Sequence, residues 1–264
     1  MNILDKIIGA KRKEVALKKS IIPARQLEQS GLFSRAARSL AESIKNGSGI
    51  IAEHKRRSPS KAAINNNFSV EEVVRGYEDA GASGVSVLTD MRYFGGSLED
   101  LQQARASISI PVLRKEFVID EYQIIEAKSN GADAILLIAA VLGNSEIKVL
   151  SQLAQSLSLE VLLEVHNQEE LENALMPSLD LVGVNNRNLK TFETSLDASY
   201  DLAESIPSEF VKVSESGIHF PEDAISLKEY GFKGFLIGET FMKTGNPGEA
   251  AKNFIKSISS RNGK

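Results

Sequence analysis

The sequence has no cysteine among its 264 residues. That absence excludes disulfides, thiolate metal sites and a cysteine nucleophile or base, and it fits a reducing compartment. A basic excess is also missing: 31 Lys and Arg stand against 35 Asp and Glu, a net charge of −4. Nucleic acid and anionic membrane are therefore not expected partners, and any anion site must be built locally against the mean field. No stretch approaches the roughly 20 apolar residues of a membrane span. Met1 to Lys6 carries acid and base early with no apolar run, so the expected location is the cytoplasm. The histidines, His54, His166 and His219, lack metal-ligand spacing, so no metal is expected. No linker rich in Pro, Gly or Ser interrupts the chain. One domain, 1–264, is expected, with a helical extension over 1–48 and the body over 49–264.

What is present is a repeated alternation. With 42% hydrophobic and 25% charged residues, there is enough apolar material for a large core. Short apolar runs recur at Ile50–Ala52, Val85–Leu88, Pro111–Leu113, Ala134–Ile138, Val161–Leu163, Leu181–Val184, Val211–Val213 and Gly234–Ile237. Most are continuous rather than alternating, as in strands buried on both faces. Helical segments lie between them. Ser69 with Glu72 reads as a capping box, and Asp120 with Gln123 and Asn167 with Glu170 have similar spacing. Gly81, Gly131 and Gly231 sit where helices should end in a left-handed residue, and Pro221 and Pro247 suit first helical positions. Eight strand–helix units match a (β/α)8 (TIM) barrel, whose typical length is about 250 residues, better than an open doubly wound sheet. Before the first strand, Leu4, Ile7 and Ile8 make a helical stripe and Phe33 through Ile44 reads as another helix. Two readings of this extension stand, padding under the barrel or a lid over one end. Ser257 to Lys264 is polar and is expected to fray.

In a parallel barrel the site lies at the C-terminal ends of the strands. Here those ends carry Glu53-His54-Lys55, Thr89-Asp90, Arg114-Lys115-Glu116, Glu164-Val165-His166, Asn185-Asn186-Arg187-Asn188, Ser214-Glu215-Ser216-Gly217 and Gly238-Glu239. Side chains alternate along a strand, so Glu53 and Lys55 share a parity and can both face the axis. Lys115 and Glu164 directly follow buried apolar runs. Ammonium and carboxylate groups meeting in a partly dry cavity shift one another's pKa and support acid–base chemistry. Any one of these charges alone reads as a solvated loop residue, and the joint placement of four is what points to a site. Ser216-Gly217 and Gly238 occupy positions where barrels bind phosphate, although tight turns are glycine's default role. Arg56-Arg57 read equally as loop charges. Phe94 is either core or an aromatic wall for a ring-shaped substrate.

Taken together, these segments resemble the indole-3-glycerol-phosphate synthase family. The resemblance rests on Ile50 through Lys61, Val87 through Asp90 with Tyr93 through Ser97, Pro111 through Phe117, Gly131 through Ile138, Leu163 through His166, Gly183 through Leu189, Ser214 through Ile218 and Leu236 through Glu239. It runs in order along all eight strands, from about residue 49 to residue 243, and it tips the extension toward a lid. It implies conversion of 1-(2-carboxyphenylamino)-1-deoxyribulose 5-phosphate to indole-3-glycerol phosphate, CO2 and water, in tryptophan biosynthesis, with no cofactor and no metal. The implied partner is a small phosphorylated substrate, and a monomer is the expected state.

By that resemblance Lys115 is the general acid at the ketone and Glu164 the general base of dehydration. Lys55 holds an anionic group or donates a proton in dehydration, and both roles stay open. Glu53 orients the lysines, Asn185 and Arg187 bind polar substrate groups, and Glu215 and Ser216 line the floor. Phe94, Phe117 and Leu137 hold the aromatic ring. Ser58, Gly217, Gly238 and the backbone at Glu239 cradle the phosphate. Two positions depart from the family pattern: Ala62 where glycine is usual, which bears on loop closure, and Glu116 where Asp is frequent, which is expected to matter little. The rival phosphoribosylanthranilate isomerase needs a cysteine base that is missing here. A histidine-pathway barrel would want aspartates where Glu53 and Glu164 stand. A non-catalytic barrel sensing a phosphorylated metabolite would not need Lys115 and Glu164.

Overall fold

A computed structural model describes residues 3–188 and 191–261. Leu189 and the stretch Asn262 to Lys264, both included in the expectations above, lie outside the described residues. The strands are β1 (Ile50–His54), β2 (Gly84–Leu88), β3 (Val112–Lys115), β4 (Ala134–Ile138), β5 (Glu160–Val165), β6 (Leu181–Asn185), β7 (Val211–Glu215) and β8 (Gly234–Ile237). Each pairs in parallel with the next, and β8 pairs with β1, closing the barrel.

Strand parity divides the core in two. Outward residues such as Val85, Val112, Ile135, Leu163, Val182 and Phe235 pack against the surrounding helices. Inward residues such as Ile51, Leu113, Leu136, Leu162, Val213 and Leu236 fill the barrel. Burial removes apolar area from water at about 25 cal/mol per Å². The inner set also receives Leu40, Ala41 and Ile44 from the helix Leu40–Asn46, which therefore packs against the base of the barrel interior.

Local signals act as their chemistry predicts. Ser69 and Glu72 form a reciprocal capping box at the start of the helix Val70–Asp79. Asp120 caps the helix Glu121–Ser129 through the Tyr122 N–H, while Gln123 turns back to the Ile119 N–H and the Phe117 carbonyl instead of closing a box. Gly81, Gly131 and Gly231 adopt φ of +87°, +85° and +88° just past their helices.

Two expectations need correction. Phe33 through Ile44 is not one helix. The helix begins at Leu40, because the Ser39 hydroxyl accepts from the Glu42 N–H and fixes the cap there. Upstream, Arg35 is drawn off to Asp133 at 2.6 Å. The chain also does not fray at Ser257. The helix Pro247–Arg261 runs on, since Ile258 is buried against the barrel's outer shell. Among the described residues no helix is long and apolar enough to cross a membrane.

Candidate active site

Two residues beyond the inner apolar layer, the same inward parity turns ionic. Ile51 is followed by Glu53, Leu113 by Lys115, Leu162 by Glu164 and Val213 by Glu215. These side chains line one cavity of about 410 Å³ at the C-terminal ends of the strands. The same cavity is lined by Lys55, Ser58, Phe94, Phe117, Asn185, Arg187, Ser216, Gly217, Gly238 and Glu239. The structure thus brings together every expected site residue except one.

The exception is Leu137. It faces outward into the strand–helix layer and is fully buried there, whereas Ile138, one residue on, lines the cavity. A one-residue step reverses a strand side chain. The run Ala134–Ile138 is apolar throughout, so its letters carry no sign of which face is which.

The charged groups form a connected set. Lys115 pairs with Glu164 at 3.2 Å and with Glu215 more closely still. Lys55 pairs with Glu53 at 2.9 Å, and the Ser86 hydroxyl donates to Glu53 at 3.2 Å. Asn185 donates to Glu164 at 3.0 Å and accepts from the Arg187 N–H. Burial opposes ionisation of Glu53, but the Lys55 and Lys115 ammoniums outweigh it and hold the carboxyl below its ordinary range. Glu164 is likewise buried and likewise held low, by Lys115 and then His166. Burial pushes Glu215 up to about 7, helped by the neighbouring Glu164 and Glu53 carboxylates and countered by Lys115. One Glu215 oxygen, Oε1, is buried without a hydrogen-bond partner. Burial also works against the Lys115 charge, yet Glu215, Glu164 and Glu53 together hold the ammonium well above its ordinary range.

Two glycines make room for these carboxylates. A Cβ at Gly183 would lie 2.3 Å from Glu215 Oε1, and one at Gly238 would lie 2.7 Å from Glu53 Oε1. Gly238 therefore serves the charge cluster as well as the candidate phosphate wall. Ser216 and Gly217 follow with φ of +67° and +76°. For serine that conformation is costly. It is held by Asn186, whose side-chain amide donates to the Ser214 hydroxyl and to the Glu215 and Ser216 carbonyls at 2.9–3.0 Å.

The walls are apolar and come from separate elements. Phe94 and Phe117 meet with ring centroids 5.9 Å apart. Ile3, Leu4 and Ile7, from the helix Ile3–Ile21, line the same cavity, so this part of the extension covers the mouth. That helix is anchored by Lys11, buried and paired with Glu14 at 2.8 Å and with Asp90 and Glu116 at 3.1 Å. Asp90 caps the short helix carrying Phe94, and Glu116 accepts the Phe117 N–H. Glu116 is thus a buried junction between lid and wall, a larger role than its position beside Lys115 suggested. Lys11 was legible only as a lysine inside the apolar stripe of its helix.

The other residues singled out in the sequence lie around the mouth. Arg56 binds Asp100 at 2.5 and 2.8 Å and Arg57 donates to the Met91 and Arg92 carbonyls, so both tie the loop after β1 to the helices that follow β2. Lys61 bonds Glu239 across the mouth. Ala62 is exposed in the loop after β1 and does not line the cavity. Among the described residues no cluster of three His, Asp or Glu is placed to hold a metal ion.

Comparison with known proteins agrees with this architecture. A solved thiamine phosphate pyrophosphorylase from Pyrococcus furiosus superposes with a TM-score of 0.61 at 15% identity, covering 83% of this chain and 99% of that one, a likeness of fold alone. Curated indole-3-glycerol phosphate synthases are much nearer in sequence. That of Bacteroides thetaiotaomicron is 50% identical, over 97% of this chain and 99% of its own length. That of Polaromonas naphthalenivorans is 45% identical over 94% and 97%, and that of Bordetella pertussis 42% over 94% and 96%. The family model for indole-3-glycerol phosphate synthase matches residues 4–254, lid helix included. With the match running through the extension, all eight strands and the ionic rim, this chain belongs to the indole-3-glycerol phosphate synthase family.

Proposed function

We propose that this protein closes the indole ring, converting 1-(2-carboxyphenylamino)-1-deoxyribulose 5-phosphate to indole-3-glycerol phosphate, CO2 and water. The observation that carries the reading is one lysine, Lys115, held charged between two carboxylates, Glu164 and Glu215, inside a cavity with an aromatic wall. Such a group is a buried proton donor facing an acceptor, which the two halves of this reaction require in turn.

The aryl ring lies against Phe94, Phe117 and Ile138, while Ser58, Gly217, Gly238 and the backbone at Glu239 take the phosphate. Arg187 and Asn185 hold polar groups between. Lys115 donates its proton to the ketone oxygen as the carboxyl-bearing ring carbon attacks the ketone carbon, forming the new C–C bond. The carboxylate, held until then by Lys55, leaves as CO2 and returns its electron pair to the ring. Glu164 then removes a proton from the carbon next to nitrogen. Lys55, freed of the carboxylate, protonates the departing hydroxyl, and water leaves as the double bond forms. Glu53 keeps Lys55 charged and aimed, and Glu215 and Ser216 form the floor beneath the ketone.

Every group invoked comes from one chain, so a monomer suffices, and the reading makes it a cytoplasmic enzyme of tryptophan biosynthesis. The test is to supply the carboxyphenylamino substrate and measure CO2 and indole product together. The two should appear in equal amounts without added metal or cofactor. Isomerised substrate with no CO2 would refute the reading.

A further inference from the structure

The ionic cluster is one cation short. Glu53, Glu164 and Glu215 are three buried carboxylates facing two ammoniums, Lys55 and Lys115. A candidate for a third positive charge is His166, two residues beyond Glu164 and on the same side of the chain. Its Nε2 lies 3.5 Å from Glu164 Oε1. Its Nδ1 lies 3.0 Å from Glu170 Oε2, and the same carboxylate oxygen accepts the His166 backbone N–H at 2.8 Å. Glu170 is fixed in turn by Asn167, which donates to its other oxygen at 3.0 Å and accepts its N–H at 2.9 Å. The ring is therefore clamped from the helix side, with Nε2 aimed at the base. That nitrogen is buried and makes no hydrogen bond. His166 is not among the residues lining the cavity and stands behind Glu164 as seen from it.

We propose that His166 is a positioning residue of the reaction: clamped by Glu170, its imidazolium keeps the Glu164 carboxylate ionised and oriented as the dehydration base. This rests on the reading of Glu164 given above. The charged and polar groups facing Glu164 are Lys115 from β3, Asn185 from β6, Glu215 from β7 and His166. Those facing His166 are Glu164, Glu170 and, further off, Glu215. Burial works against the imidazolium, but Glu170 and Glu164 more than offset it, and the ring's pKa is raised. An opposite charge at this range moves a carboxyl's ionisation by about one pH unit or more. A neutral ring would turn a lone pair toward the carboxylate instead, removing that support.

The test is a carboxyl 13C NMR titration of Glu164 in the full-length protein, in the wild type, H166Q, E170Q and the double variant, with thermal melts to confirm folding. H166Q should titrate Glu164 about one pH unit higher than the wild type. E170Q should move it the same way by less, and the double variant should match H166Q, because Glu170 acts through the ring. In turnover, the acid limb of kcat should move up with the titration while KM stays put. An unchanged Glu164 titration in H166Q, or an E170Q effect that adds in full to H166Q, would overturn the proposal. If H166Q does not fold, E170Q decides alone, its unchanged titration counting against. A wild type that makes no indole-3-glycerol phosphate would defeat the functional reading while the titration still judges the inference.

Discussion

The two ends of the barrel both bury charge, and they do so in opposite ways. At the base, Asp133 has every donor it needs. One oxygen accepts from Arg35 at 2.6 Å and the Arg38 N–H at 2.9 Å, the other from Arg105 at 2.6 Å and the Val112 N–H at 2.9 Å. Nearby, Glu160 accepts from the Ser39 hydroxyl and the Ala41 N–H, seating the helix Leu40–Asn46. At the rim, three carboxylates share two ammoniums, and a Glu215 oxygen has no partner. Satisfied buried charge fixes structure. Buried charge left unbalanced sits near a change of protonation state, which is what a proton-transferring site uses.

Mutations can break that contrast. The largest effect is expected from Lys115→Ala, which should cut indole-3-glycerol phosphate formation by about 10²–10⁴-fold, the span typical of a lost general acid. Steady-state turnover on folded protein reads this, and near-normal rates would remove Lys115 from the chemistry. Asp133→Asn should do the reverse, costing about 3–5 kcal/mol of stability because two arginines lose their counter-charge. Denaturant melts should register the loss while kcat stays close to the wild type.

Adjacent residues in β4 sharpen the same contrast between packing and site. Leu137→Ala should cost about 2–5 kcal/mol with KM unmoved, since its side chain meets only the outer core. Ile138→Ala should instead raise KM, its side chain being part of the cavity wall. A KM effect at Leu137 alone would reverse the parity assignment.

The smallest effect concerns pH. A carboxyl raised by burial contributes stability while protonated and loses it as pH climbs through its folded value, about 7 for Glu215. Glu215→Gln should therefore gain on the wild type in melting temperature as pH rises toward neutrality, then hold that margin. A margin that shrinks on the way up would contradict the burial argument.

Much of this was legible in the chain. The barrel followed from eight continuous apolar runs separated by capped helices. The rim followed from polar residues directly after those runs. What the letters withheld was physical information they do not carry. Each run was read as ending at its last apolar residue, but Glu53, Lys115, Asn185 and Glu215 are still within their strands, because an inward side chain at the rim has a cavity to enter. Leu137 and Ile138 are equally apolar, so facing was invisible. Lys11 meets Asp90 and Glu116 across long stretches of sequence, and nothing local marks that junction. His166 was weighed only as a metal ligand, and its value depends on Glu170 one helical step away.

The most direct test of the contrast between the two ends is indole fluorescence from the carboxyphenylamino substrate, recorded side by side for Lys115→Ala and Asp133→Asn at a temperature where both are folded. The rim variant should be dark while the base variant brightens at close to the wild-type rate. A fluorescent Lys115→Ala beside a silent, folded Asp133→Asn would contradict the account.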